Sequence, residues 1–385
     1  AVRVKARAAA RVHRVLGPVG GLPEPASKVA SGTVRNMTRR RLLPRPRQRD
    51  LALCLVTEAH FRPLRYGPMI SSETAVVLGA AGQDGHFLCQ HLVSRGYRVV
   101  GLGHRASPLD LPKGTDYQAV DVRDSGHLAR VLDELMPDLV FHVAAVHGSA
   151  GTPYESVWQD MLAVNTGSVH VVMEYLRTTN PAGQLVYASS GKVFSPAEGI
   201  INEQSHTATS CLYTVTKLAS RDVIELYRRK HGLKASVVHL FNHESERRPA
   251  HFFVPKMVSA VARAIQGGGG VTEVDSLDFY CDWGSANEYM DLVVDIARHE
   301  FAEDFVIGSG VTWHGRQFVE ELFGRHGFDY SAHIEERVSD RCAGPRFVVS
   351  TEKLSRLVGR SPREDILSVC DRMLTTHLQT GTTGS

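Results

Sequence analysis

From residue 74 onward the chain alternates short apolar runs with longer stretches of helical period. Runs at 74–79, 97–102, 139–144, 184–188 and 235–241 read as strands, and a further strand is expected just before Asp121. Between them, 86–95, 121–135, 157–176 and 213–231 carry helical spacing. Strands separated by helices of this length predict an α/β fold, a doubly wound parallel sheet with helices on both faces. Beyond Asn242 the period weakens; 267–270 is four glycines and reads as a loop, and 308–378 predicts mainly helices. The expected division is a nucleotide-binding domain over 69–241, a smaller C-terminal lobe over 242–378 with some sheet contribution, and a tail at 379–385.

Residues 1–68 break the pattern. They are rich in Arg, Ala and Pro and hold neither a helical nor a strand period. Three readings compete: an Arg-rich, acid-poor transit leader, a basic arm for nucleic acid or anionic lipid, and a disordered extension ahead of Met69. The expectation adopted is the disordered basic extension.

Charge sharpens this division. The whole chain of 385 residues has a formal net charge of +3, but residues 1–68 alone carry +12 and the remainder −9. A mildly acidic body argues against a nucleic-acid enzyme. No apolar run is long enough for a membrane helix, so no membrane partner is expected. Six scattered Cys without a Cys-x-x-Cys fit reduced thiols in a cytoplasmic protein better than a disulfide framework or a metal site.

The first strand runs into Gly79-Ala-Ala-Gly82-Gln83-Asp84-Gly85 and then into a helix. Glycines there permit a tight turn and close backbone approach to a pyrophosphate, which sits over the free N–H groups of the helix start. The expected ligand is a dinucleotide on a Rossmann-type domain, with Ala144 and Ala145 at the end of a neighbouring strand beside it. Arg105 follows the second strand, where an acidic residue would favour NAD and an Arg favours the 2′-phosphate of NADP. Asp121 and Val122 are candidates for the adenine edge, with a helix N-cap as the competing reading for Asp121.

Tyr213 and Lys217 lie four apart and share one helix face. An ammonium beside a phenol favours the phenolate and is expected to lower its pKa toward a usable value. Ser190, at a strand end about twenty residues earlier, is the candidate hydroxyl bridging Tyr213 and a substrate oxygen.

The Gly79–Gly85 turn, Ser190 and Tyr213-x-x-x-Lys217 resemble the extended short-chain dehydrogenases/reductases (the NAD-dependent epimerase/dehydratase family). Longer strings are similar to the GDP-mannose 4,6-dehydratase group: Gly82-Gln-Asp-Gly85, Ile201-Asn-Glu-Gln204, Leu240-Phe-Asn-His-Glu-Ser245 with Arg247-Arg248, Asp282-Trp-Gly284 with Tyr289, and Arg316-Gln-Phe-Val-Glu320. The resemblance implies NADP held by His243 and Arg248, and a sugar nucleotide met by Asn242 and Lys256, with Arg316 as a diphosphate contact. It also implies a homodimer or homotetramer. The implied reaction has three stages: C4 oxidation with Tyr213 taking the hydroxyl proton, loss of the C5 proton and the C6 hydroxyl, and return of hydride to C6.

Two departures matter. The group's Ser-Thr-Ser-Glu string, whose Glu is the C5 base, is here Ser189-Ser190-Gly191-Lys192. Related dehydratases acting on other nucleotide sugars carry an Asp-Lys pair there, so Lys192 is the expected base, but Gly191 stands in place of its partner. The alternatives are a 4-keto reductase or epimerase that has lost dehydration, and a non-catalytic NADP(H)-binding paralogue. The second departure is Cys281, where the group has an Arg suited to the nucleotide.

Overall fold

The computed structural model describes residues 73–107, 110–147, 153–195, 198–299, 301–338 and 343–381. The basic stretch 1–68, the end of the tail at 382–385, and Cys54 and Cys342 lie outside the described residues.

The first half supplies six strands of a seven-stranded sheet, its covering helices and one short strand of a separate pair. In chain order these are β1 Thr74–Leu78, α1 Gln83–Ser94, β2 Arg98–Gly103, β3 Thr115–Ala119, α2 Ser125–Leu135, β4 Leu139–His142, α3 Trp158–Leu162, α4 Ser168–Thr178, β5 Gln184–Ser190, β6 Gly199–Ile201, α5 Leu212–His231 and β7 Lys234–Leu240. There follow β8 Asn242–Glu244, α6 Phe253–Ile265, β9 Thr272–Val274, β10 Tyr280–Ser285, α7 Ala286–Arg298, β11 Asp304–Ile307, β12 Thr312–His314, α8 Gly315–Gly324, β13 Ile334–Glu336, β14 Phe347–Val349, α9 Glu352–Val358 and α10 Ile366–Gly381.

Seven strands pair in the order β11-β7-β5-β4-β1-β2-β3, every pair parallel. The chain winds outward from β1 in one direction and from β4 in the other, so the winding reverses between these two neighbours. Crevices at such a reversal, beyond the carboxyl ends of the strands, are where open α/β sheets bind ligands. Both faces are covered, which explains the continuous apolar runs. Along β1, Ala75 and Val77 join the core beneath α1 and α7, while Val76 and Leu78 join the core with α2, α4 and α5.

A third core gathers α6, α8 and α10 around Trp283. The short strands β8, β10 and β12 form a mixed sheet there, and β9–β13 and β14–β6 make two further pairs. Three of them, β12, β13 and β14, each of three residues, interrupt the mainly helical tail that periodicity predicts over 308–378.

Two predicted helices differ in their starts and continuity. The one predicted over 121–135 begins at Ser125, because the Asp124 carboxylate accepts the His127 N–H at 2.9 Å and caps it. The single helix predicted over 157–176 is a 3₁₀ turn at Tyr154–Val157, α3, a π turn at Ala163–Gly167, and then α4. The π turn widens the helix by one residue, and such turns often mark functional sites.

Candidate active site

The turn after β1 brings backbone to backbone. Gly79 has φ +93°, and a Cβ on it would lie 2.7 Å from the Ala144 nitrogen at the end of β4. A Cβ on Gly85 would lie 2.2 Å from the Gly79 carbonyl oxygen. Any side chain would therefore push α1 off the strand ends. The first turn of α1 holds Gln83 and Asp84, and both reach across to the string after β7. Gln83 donates to the His243 carbonyl at 3.3 Å and accepts from the Ser245 hydroxyl at 2.8 Å. Asp84 lies 3.0 Å from His243 Nε2.

A cavity of about 420 Å³ opens over this turn, lined by Gly79, Gly82, Arg105, Asp121, Val122, Ala144 and Ala145 among others. The glycine cradle, the α1 N-terminus and an open run along the ends of β1 to β4 fit a dinucleotide. Arg105 is exposed at its rim, its carbonyl accepting the Tyr117 hydroxyl at 2.8 Å. Asp121 is engaged by Arg123, which also reaches Asp160 at 2.8 Å.

A second cavity, about 270 Å³, shares Val143 and Ala145 with the first. Into it come Ser190, Lys192, Tyr213, Lys217, Asn242, His243 and Arg248. The structure thus brings together residues spread over almost sixty positions of sequence. Lys256 and Arg316 line neither cavity. Lys256 donates to the Glu273 carbonyl at 2.5 Å, and Arg316 is paired with Glu336 at 2.6 Å and Asp278 at 3.1 Å.

Tyr213 and Lys217 start α5 and are both buried, Lys217 being 2% exposed. The Lys217 ammonium donates to the Ala188 carbonyl at 2.7 Å and stands 5.6 Å from the Tyr213 ring centre. Burial pulls Lys217 down to about 7, against the opposing charge of Asp84. Burial also governs Tyr213, whose phenol lies well above its ordinary value although the Ser190 hydrogen bond favours the phenolate. The sequence predicts a lowered phenol, so this is a difference. In this buried position, desolvation outweighs the neighbouring charges.

Ser190 also accepts the Lys192 backbone N–H at 3.2 Å, capping the short 3₁₀ turn at Gly191–Val193. The Lys192 side chain reaches His147 Nε2 at 3.2 Å. Its pKa is lowered by burial, with the nearby Arg248 charge acting in the same sense. Gly191 is set by Phe241, since a Cβ there would lie 2.9 Å from that ring. Asn242 donates to the Cys281 sulfur at 2.9 Å.

Arg248 stacks on Phe252 at 3.7 Å. Its Nε is buried without a hydrogen bond, and the Glu244 carboxylate lies 3.6 Å away. A half-buried guanidinium with a buried, unmet donor suits an anionic ligand. Glu244 is itself raised to about 7 by burial, with Arg248 and His243 opposing.

Two residues escaped the sequence reading. Asn165, in the π turn, is fully buried and clamps the segment after β4: its amide oxygen accepts the Val146 N–H at 2.9 Å, and its nitrogen donates to the Val146 carbonyl at 3.1 Å and to Thr216 at 3.0 Å. The signal available was a polar Asn in line with the apolar stripe of Met161, Val169, Val172 and Leu176, with a Gly two positions later. His147 carries no motif at all.

The comparisons agree with this geometry. The profile of the GDP-mannose 4,6 dehydratase family matches residues 76–359. The GDP-mannose 4,6-dehydratase of Sinorhizobium fredii is 29% identical over 311 residues, 74% of this chain and 88% of that protein. Among solved structures, the dTDP-glucose 4,6-dehydratase of Bacillus anthracis in complex with NAD superposes with TM-score 0.68 at 15% identity, covering 81% of this chain and 98% of that one. RMD of Pseudomonas aeruginosa complexed with NADPH superposes at 0.66 and 20% identity, over 80% and 100%. The chain belongs to the GDP-mannose 4,6-dehydratase family, within the extended short-chain dehydrogenase/reductase fold.

Proposed function

We propose that this protein is an NADP-dependent 4,6-dehydratase of a nucleoside diphosphate sugar, GDP-mannose in the first instance. One observation carries the reading: Ser190, Tyr213, Lys217 and Lys192 meet the Asn242-to-Arg248 string in one cavity, and that cavity adjoins the glycine turn. Gly79, Gly82 and Gly85, with the α1 N-terminus, would hold the pyrophosphate. Arg105 would take the 2′-phosphate, and Lys217 the nicotinamide ribose. When bound, the nicotinamide supplies a hydride acceptor for sugar C4 and a donor for C6.

The chain's own groups handle protons and position. Tyr213 takes the C4 hydroxyl proton, with Ser190 hydrogen-bonded to both oxygens. Lys192, with its pKa lowered, takes the C5 proton made acidic by the new ketone. Arg248 supplies a positive charge to the diphosphate or the dinucleotide.

The test is to incubate pure protein with NADP⁺ and GDP-mannose and to identify the product. A 4-keto-6-deoxy sugar nucleotide is expected. GDP-mannose that binds but returns unchanged sinks the reading. Gly191 favours a second reading, because it leaves Lys192 without the adjacent carboxylate of the Asp-Lys pair. A reductase that has lost dehydration would then consume NADPH when given a 4-keto-6-deoxy sugar nucleotide.

A further inference from the structure

Lysine is an awkward replacement for a carboxylate base. Its amine rides on a flexible four-carbon stem and is strongly hydrated, so its lone pair has no fixed direction. Proton abstraction from carbon needs the base held close and aligned. Something in this cleft must therefore take up the freedom of the Lys192 side chain.

His147 is placed to do so. It follows β4 directly after Val146, whose N–H and C=O are both held by Asn165. Its ring stands edge-on to Tyr213 at 4.5 Å between centres, and to Tyr154 at 5.9 Å. An imidazole between two aromatic rings, on a clamped backbone, has little room to turn. Its Nε2 lies 3.2 Å from the Lys192 amine, and His147, Lys192 and Tyr213 all line the second cavity.

We propose that His147 is the positioning residue for Lys192 in the elimination step, an assignment that rests on the dehydratase reading above. A neutral amine has two N–H bonds and one lone pair. Donating one N–H to His147 Nε2 fixes the amine and leaves the lone pair for the sugar. The other groups acting on Lys192 are Cys211 at the start of α5 and Cys281 on β10, which favour its charged form, and Arg248 beyond β8, which disfavours it.

The proton count closes. The Lys192 lone pair takes the C5 proton, and the C5–H electron pair passes into the enolate of the 4-ketone. The enolate collapses to the C5–C6 double bond, and the C6 hydroxyl departs with one proton as water. One proton was released at O4 through Tyr213, which balances the one taken up by the departing hydroxyl. The Lys192 ammonium returns its proton to C5 when C6 takes back the hydride that C4 gave up.

The experiment compares wild type with His147→Ala, His147→Gln and Lys192→Ala, all full-length, with NADP⁺ and GDP-mannose in heavy water. C4 oxidation is read from the absorbance of reduced nicotinamide in a single turnover, and the elimination step from deuterium at C5 of the product. His147→Ala is expected to lower kcat about 10- to 100-fold with KM unchanged. Reduced nicotinamide should accumulate in it, and the burst of C4 oxidation should remain. His147→Gln, whose amide oxygen reaches the Nε2 position, should recover most of the rate. The assignment is overturned if His147→Ala keeps wild-type kcat while Lys192→Ala loses the C5 step, or if His147→Ala loses C4 oxidation together with elimination. Wild-type protein that oxidises C4 but neither exchanges C5 nor forms product overturns the dehydratase reading itself, and this assignment with it.

Discussion

The Asp84 carboxylate lies 3.0 Å from His243 Nε2, and the other ring nitrogen of His243 lies 2.7 Å from the Phe241 carbonyl. Both ring nitrogens therefore face acceptors, and only the imidazolium can donate to both. Burial opposes the charge, but the Asp84 carboxylate raises His243 above its ordinary 6.5. Asp84 is lowered to about 2, its own burial outweighed by His243. This pair fastens the glycine turn to the string that follows β7.

The pair sets a pH window. The Asp84 contribution is present above 3.8 and lost as pH falls through about 2. The His243 contribution is present below 6.5 and lost as pH rises through its folded value. Asp84→Asn is expected to cost about 1–3 kcal/mol near pH 6 and less at alkaline pH. Urea unfolding at both pH values checks this; an equal loss at each would show that the pairing is not what holds the turn.

Gly191 tests how far the site can be rebuilt. Gly191→Asp, which restores the order of an Asp-Lys pair, drives a Cβ to 2.9 Å from the Phe241 ring. It is expected to destabilise by about 1–3 kcal/mol, and Phe241→Leu should relieve part of that cost. Thermal unfolding of the single and double variants gives the coupling between the two positions; simple additivity would place the strain elsewhere.

Asn165→Ala leaves the Val146 N–H and C=O without their clamp. The expected loss is about 1–3 kcal/mol of stability. Because Val146 precedes His147, the elimination step should slow more than C4 oxidation does. Single-turnover absorbance resolves the two; a uniform slowing would confine Asn165 to a structural role.

Arg105 is the residue proposed above to carry the cofactor preference. It is exposed at the rim of the first cavity, and no carboxylate engages it among the hydrogen bonds and ion pairs of the described residues. Arg105→Ser is expected to weaken NADP binding about 10- to 100-fold and leave NAD binding unchanged. Fluorescence titration with both dinucleotides decides it, and parallel losses would place the 2′-phosphate on another group.

The fold was legible where burial on both faces made strands continuously apolar, as in β1, β2, β4, β5 and β7. Tyr213 and Lys217 were legible as a pair because four-residue spacing puts them on one helix face, and Ser190 because it ends an apolar run and falls in a string shared with a known family. The break before α4 was not, since a π turn adds one residue without disturbing the apolar pattern on either side. The three-residue strands near the C-terminus are too short to leave a period. Lys256 and Arg316 came from string similarity, and the fold turns both toward partners outside the cavities. The places of His147 and Phe241 depend on the shape of the cleft, and that shape is fixed only once distant strands are side by side.

The wall of Val143 and Ala145 common to both cavities bears on the order of events. A dinucleotide filling the first cavity would finish the floor of the second, and a sugar nucleotide seated there would bar its way out. On the proposed reading traffic through such a site would be sequential: the dinucleotide would enter first and stay, while successive sugars would come and go above it. A reaction whose electrons return to the molecule they left suits that arrangement, because nothing in the cycle requires the deeper guest to be exchanged.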